Sequence, residues 1–129
     1  MPTFKNFEEI ESWQKAHELT REVYTVSNQG AFTKDFGLRD QIRRASVSIM
    51  SNIAEGFGRD GNREFLQFLA VAKGSSGEVR AQLYVAFDRG YINKNTFETL
   101  SAISIEIGSL IGGLMNYLRE TDMKGKKFK

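Results

Sequence analysis

The residues able to do chemistry in this chain are few, and most of them are arginines. Arg39, Arg43 and Arg44 fall within two turns of one apolar-periodic segment. Arg39 and Arg43 share a helical face at i,i+4 spacing. Such a cationic stripe can neutralise phosphates, each contact adding to the salt dependence of binding. Arg59 and Arg63 follow at the next segment boundary. The competing reading is a solvated face or a set of inter-helix ion pairs, because Asp40, Glu55, Asp60 and Glu64 are near in sequence. Residues 39–64 hold five basic and four acidic groups. On charge alone, ion pairing is therefore the weightier reading.

Gly56-Phe57-Gly58-Arg59-Asp60-Gly61 has G-x-G-x-x-G spacing. In a dinucleotide fold such glycines follow a strand and let the backbone approach a pyrophosphate. Here they follow a helical pattern without a βαβ unit, so a helix–helix turn is expected. The free amides that open the next helix, with Arg59 and Arg63 beside them, would still suit a phosphate.

His17 is the one histidine. A ferritin-like di-metal centre needs Glu-x-x-His on paired helices, and Gln14 stands where that Glu would be. Neither a metal site nor a cofactor is expected. Glu55 could work with His17 only if folding brought them together, and no nucleophile or oxyanion site accompanies them. The chain reads as non-enzymatic, with no catalytic residues.

Two polar features lie beside apolar stripes. Ser48, Ser51, Asn52 and Glu55 form a strip on the second helical segment, and Glu78 and Arg80 follow the Gly74-Ser75-Ser76-Gly77 run mid-way along the third. Polar groups next to a buried face must find partners. They are expected to form a network that sets bundle register or a subunit interface, with a ligand site as the sharper alternative. Lys124, Lys126, Lys127 and Lys129 make a basic tail that could hold RNA or an acidic surface, with Phe128 among them as a stacking group. The plain reading of that tail is a solvated end.

Four helical segments must position these groups. Asn6 and Glu9 have capping-box spacing, and Trp13, Ala16, Thr20, Val23 and Ser27 recur at helical intervals before an Asn28-Gln29-Gly30 stop. Leu38, Ile42, Ala45, Ile49 and Ile53 form the second stripe. Phe65, Phe68, Leu69, Ala72, Val79, Leu83 and Ala86 form the third. Gly74 and Gly77 inside it cost about 1 kcal/mol each relative to Ala, so a close helix approach is expected to compensate. Phe97, Leu100, Ile103, Ile107, Ile111, Leu114 and Leu118 form the fourth, behind an Asn95–Glu98 capping-box spacing, with Gly108 and Gly112 on another face. No period-two alternation appears. The expected fold is all-α, an antiparallel up-down-up-down four-helix bundle over residues 1–123, with helices at about 7–28, 37–56, 62–89 and 95–121 and a disordered tail at 124–129.

Composition agrees with a single domain of 129 residues, 40% hydrophobic and 26% charged. The absence of cysteine excludes disulfides, thiolate zinc sites and cysteine nucleophiles. The net charge of +2 belongs to the tail: without its four lysines the chain holds 14 basic and 16 acidic groups. No window approaches eighteen uninterrupted apolar residues, and the first fifteen residues lack an apolar leader core. A cytoplasmic protein with no membrane partner is the expectation.

Gly37-Leu38-Arg39-Asp40-Gln41-Ile42-Arg43-Arg44-Ala45 and Ser46-Val47-Ser48-Ile49-Met50-Ser51-Asn52-Ile53-Ala54-Glu55-Gly56 closely resemble the signature of the bacterial four-helix-bundle proteins encoded in intervening sequences of large-subunit ribosomal RNA genes, often labelled S23 ribosomal protein. Glu64-Phe65, Phe68-Leu69, Ala72, Gly74-Ser75, Glu78, Gly90-Tyr91-Ile92 and Trp13-Gln14-Lys15-Ala16 continue the match over about residues 4 to 120. Met50 stands where that family usually has proline, which bears on a local kink. The resemblance implies a four-helix bundle that assembles as a ring-shaped homopentamer. It also implies a fold similar to the accessory variability protein of diversity-generating retroelements, which binds nucleic acid and a reverse transcriptase. Two functional classes follow from residues and resemblance together. One is an oligomeric accessory protein binding RNA or a ribonucleoprotein through the arginines and the tail, with reverse transcriptase as a protein partner. The other is a homo-oligomeric protein-binding scaffold with no nucleic-acid role.

Overall fold

A short 3-10 turn at Phe7–Glu9 opens the fold, followed by α1 (Glu11–Ser27), a second 3-10 turn at Gly30–Lys34, α2 (Phe36–Phe57), α3 (Asn62–Asp88) and α4 (Lys94–Phe128). The structure is a computed structural model that describes residues 4–128, with side chains described for residues 4–121. α2 packs on α1 and α3, and α4 on α3 and α1, so the four helices close a bundle in sequence order.

The first expected helix is split in two. The backbone N–H groups of Lys5 and Asn6 both donate to Glu9 Oε2 at 2.8 Å. The Asn6–Glu9 capping device therefore closes one 3-10 turn and no more. Ile10 then turns extended and buries its side chain, and α1 begins behind it with no side-chain cap. At the other end, Asn28 caps α1 and Gly30 takes φ 53°, as the stop signal requires.

Asp35 Oδ1 accepts the Leu38 N–H at 3.1 Å and so caps α2. α2 runs unbroken through Met50, without a kink-forming proline. Gly90 at φ 76° ends α3, and the Tyr91 N–H reaches back to the Ala86 carbonyl at 2.9 Å. Of the two asparagines that could open α4, Asn93 and Asn95, Asn93 caps it, its Oδ1 accepting the Thr96 N–H at 2.8 Å. α4 continues to Phe128, past the end expected near 121; no proline or glycine lies between Leu118 and Lys124 to stop it. The side chains expected to form the basic tail, Lys124, Lys126, Lys127 and Lys129, lie outside the described residues, as does the expected solvation of that segment.

The core is the sum of four stripes: Ala16, Leu19 and Val23 of α1; Ile42, Ile49 and Ile53 of α2; Leu69, Val79 and Leu83 of α3; Leu100, Ile107 and Ile111 of α4. Each large apolar side chain buried this way is worth about 1.5–3 kcal/mol relative to exposure. By length and composition alone α4 is long and apolar enough to cross a membrane. In the bundle its apolar stripe faces α1 and α3.

Candidate nucleic-acid interface

The five expected arginines divide by their partners. Arg39 is held at three points: its Nη1 donates to the Thr33 carbonyl at 3.1 Å, its Nε to Asp40 at 3.2 Å, and its guanidinium lies 4.8 Å over the Phe36 ring. Arg59 is neutralised by Glu55 at 2.8 Å and covers Phe68. Arg43 is held differently. Its Nε donates to Ser27 Oγ at 2.7 Å and its guanidinium stacks 4.6 Å over Tyr24. Among the described residues no carboxylate comes within ion-pair distance of Arg43, Arg44 or Arg63. Arg44 is exposed and lines two grooves, one beside Tyr24, Asp40, Arg43 and Val47, the other between α2 and α3.

The second groove contains most of the expected polar network. Ser48 Oγ and Ser75 Oγ meet at 2.9 Å across the α2–α3 seam. Asn52 Nδ2 donates to the Ser48 carbonyl at 2.8 Å and to Ser48 Oγ at 3.1 Å. Glu78 lines the same groove with Gln41 and Gln82. Glu55 lies apart, committed to Arg59. Within the chain the expected close approach does not occur at Gly74 or Gly77: a Cβ built at either meets nothing within 4 Å. The close approach occurs at Gly56, whose Cβ would stand 2.7 Å from Phe68 Cβ.

The G-x-G-x-x-G run is a helix–helix turn. Gly56 admits Phe68 and Phe65, Gly58 caps α2, and Gly61 takes φ 97° before α3. His17 is exposed with its ring 5.1 Å from Trp13, and no hydrogen bond or ion pair joins it to Glu55. Among the described residues no three His, Asp or Glu side chains gather as metal ligands.

Gly77 and Arg80 stand out in the sequence, but not the face they share: Lys73, Gly77, Arg80 and Tyr84 recur at i, i+4, i+7 and i+11, a single face of α3. That face borders a groove of about 650 Å³ against α4, lined among others by Ser76, Ser104, Gly108 and Gly112. The signal was present as cations at heptad spacing. That face lies between apolar stripes, and its cations have no apolar periodicity to mark it.

Residues 8–113 match the family described as 23S rRNA-intervening sequence protein. A solved structure from Bacteroides thetaiotaomicron, of a protein with unknown function from the S23 ribosomal protein family, is similar at 23% identity and a TM-score of 0.74. The similarity covers 81% of this chain and 97% of that one. At that identity the likeness carries the fold. No curated protein matches the chain.

Proposed function

This chain belongs to the 23S rRNA-intervening sequence protein family, and on that premise we propose that it is a non-enzymatic, homo-oligomeric accessory protein that binds RNA. The observation that carries the reading is the setting of Arg43. Its Nε edge is fixed by Ser27 and its face by Tyr24, while both Nη groups make no hydrogen bond to the described residues. A guanidinium held in this way loses little freedom when it grips a phosphate with its remaining donors. Asp40, the acid in the neighbouring groove, is engaged by Arg39. Exposed Arg44 lies next to Arg43 and extends the cationic surface. Contacts of this kind position a nucleic-acid backbone and carry no base sequence.

The oligomeric part of the reading draws on the family resemblance and on exposed apolar side chains. Phe36 is 63% and Val71 53% exposed on one protomer. Self-association would cover such groups and multiply each cationic patch in one particle. The same apolar groups favour the second reading, a scaffold that binds protein alone.

Fluorescence-anisotropy titration of a structured RNA across salt concentrations separates the two. Affinity that falls steeply with salt, and falls further in Arg43→Ala/Arg44→Ala, supports RNA binding. No binding at low salt removes it in favour of the scaffold. Sedimentation velocity at micromolar concentration tests the oligomer, and a monomer would end that part.

A further inference from the structure

We propose that the groove between α3 and α4 is a track for single-stranded RNA, with Lys73 and Arg80 on phosphates and Tyr84 stacking a base. The inference rests on the RNA-binding reading above but uses a different surface.

The electrostatics come first. Lys73, Arg80, three serines, an asparagine, four glycines and Ile105 line the groove, and no carboxylate is among them. The two acids nearest Lys73 and Arg80 on these helices are committed elsewhere. Glu78 lines the α2–α3 groove, and Glu106 pairs with Lys15 of α1 at 3.5 Å. Neither Lys73 nor Arg80 has an ion-pair partner among the described residues. Asn116, which lines the groove, accepts from Arg119 Nη1 at 3.3 Å. On a net negative body, the lining of this lane is wholly cationic or neutral and its two cations are unpaired among the described residues. A polyanion is the ligand that such a lane attracts.

The groove is also open to a strand from outside. Lys73 Nζ lies over the α4 floor, 3.5 Å from where a Cβ on Gly112 would stand. The missing side chain at Gly77 leaves open space, with nothing of this chain within 4 Å. A backbone arriving from outside can therefore approach the α3 surface between the two cations.

Tyr84 follows Arg80 by one turn on the same face and is 51% exposed. Its ring is fixed edge-on to Phe97 at 4.9 Å, which leaves a face for an unstacked base. A cationic groove joined to an aromatic platform is the arrangement that holds single strands without sequence preference. From Lys73 to Tyr84 the track runs about 16 Å along α3, room for a short run of extended nucleotides.

The test is anisotropy titration of a labelled oligouridylate of about twelve nucleotides between about 50 and 200 mM salt. The expected result is salt-sensitive binding whose log–log slope shrinks by about 1.4 in Lys73→Ala/Arg80→Ala, two contacts at about 0.7 each. Tyr84→Leu weakens binding about tenfold. Gly77→Leu projects a side chain into the groove at a helix position with free space, so the fold survives while binding falls about tenfold or more. Arg21→Ala/Lys34→Ala, equal in charge lost but away from the groove, leaves the slope unchanged.

If the groove variants bind as the parent does while Arg43→Ala/Arg44→Ala loses binding, the track is wrong and the RNA-binding reading stands. If the parent binds no RNA at low salt, both fall. If Gly77→Leu alters the sedimenting mass and leaves affinity per protomer unchanged, the groove is a subunit contact and the proposal is overturned.

Discussion

Gly56 on α2 and Phe68 on α3 approach so closely that a Cβ at position 56 would stand 2.7 Å from Phe68 Cβ, with Phe65 Cδ1 at 3.0 Å. The Phe68 Cβ belongs to the root of a side chain and can move only with α3. Gly56→Ala is therefore expected to lower stability by about 2 kcal/mol, the overpacking cost outweighing the helix-propensity gain. A urea denaturation midpoint checks this. An unchanged or higher midpoint would show that the α2–α3 seam opens freely.

The opposite holds at Gly74 and Gly77. Both lie inside α3 with open space where a Cβ would be. Gly74→Ala and Gly77→Ala should each raise stability by about 1 kcal/mol, additive within experimental scatter. Thermal unfolding followed by circular dichroism reads the shift as a few degrees upward. A loss of stability at either position would mean that something packs there in solution, and sedimentation velocity would identify a second copy.

Asp35 ties three elements together. One carboxylate oxygen caps α2 through the Leu38 N–H, and the other accepts the Tyr91 hydroxyl at 2.9 Å from the α3–α4 turn. Tyr91 also stacks on buried Phe32, with ring centroids 5.1 Å apart. Asp35→Ala is expected to cost about 2 kcal/mol and Tyr91→Phe about 1 kcal/mol. The double variant should cost less than the sum, because both remove the same hydrogen bond. Strict additivity in denaturant titrations would contradict the coupling.

Among the arginines, position 43 should matter for RNA and position 59 should not. Arg43→Ala is expected to weaken RNA binding several-fold, and Arg43→Lys to restore little, since a lysine cannot reproduce the planar grip between Ser27 and Tyr24. Arg59→Ala should leave affinity near the parent value, because Glu55 already neutralises that charge. Its stability effect should stay within about 1 kcal/mol, as for an exposed ion pair. Anisotropy at one fixed low salt concentration ranks the three. Equal losses at positions 43 and 59 would show that net charge, rather than geometry, governs binding.

The all-α bundle and the order of its helices were legible in the residues alone. Apolar side chains at helical spacing, an Asp at the head of α2 and glycines at residues 30, 61 and 90 are local signals, and local physics reads them the same way in any context. Ala16, Thr20, Val23 and Ser27 of the expected α1 stripe are buried, and Leu19 and Ser12 widen that face, an extension that only the neighbouring helices decide. Ser48 meets Ser75 across the α2–α3 seam and Asn52 bonds Ser48 on its own helix, as polar groups beside a buried apolar seam find partners.

Which charges remain free is a different kind of fact. Arg59 and Arg43 look alike in sequence, yet one meets Glu55 and the other meets Ser27 and Tyr24. Which glycines are crowded is also tertiary: Gly56 faces two phenylalanines across a seam, while Gly74 and Gly77 face outward. Lys73 and Arg80 share an acid-free groove only because α4 presents glycines and serines there while Glu78 and Glu106 turn to other sides. Helix formation depends on neighbours three and four residues away, which the chain order states outright. Pairing and exposure depend on groups tens of residues away, brought together only when the four stripes close on one core.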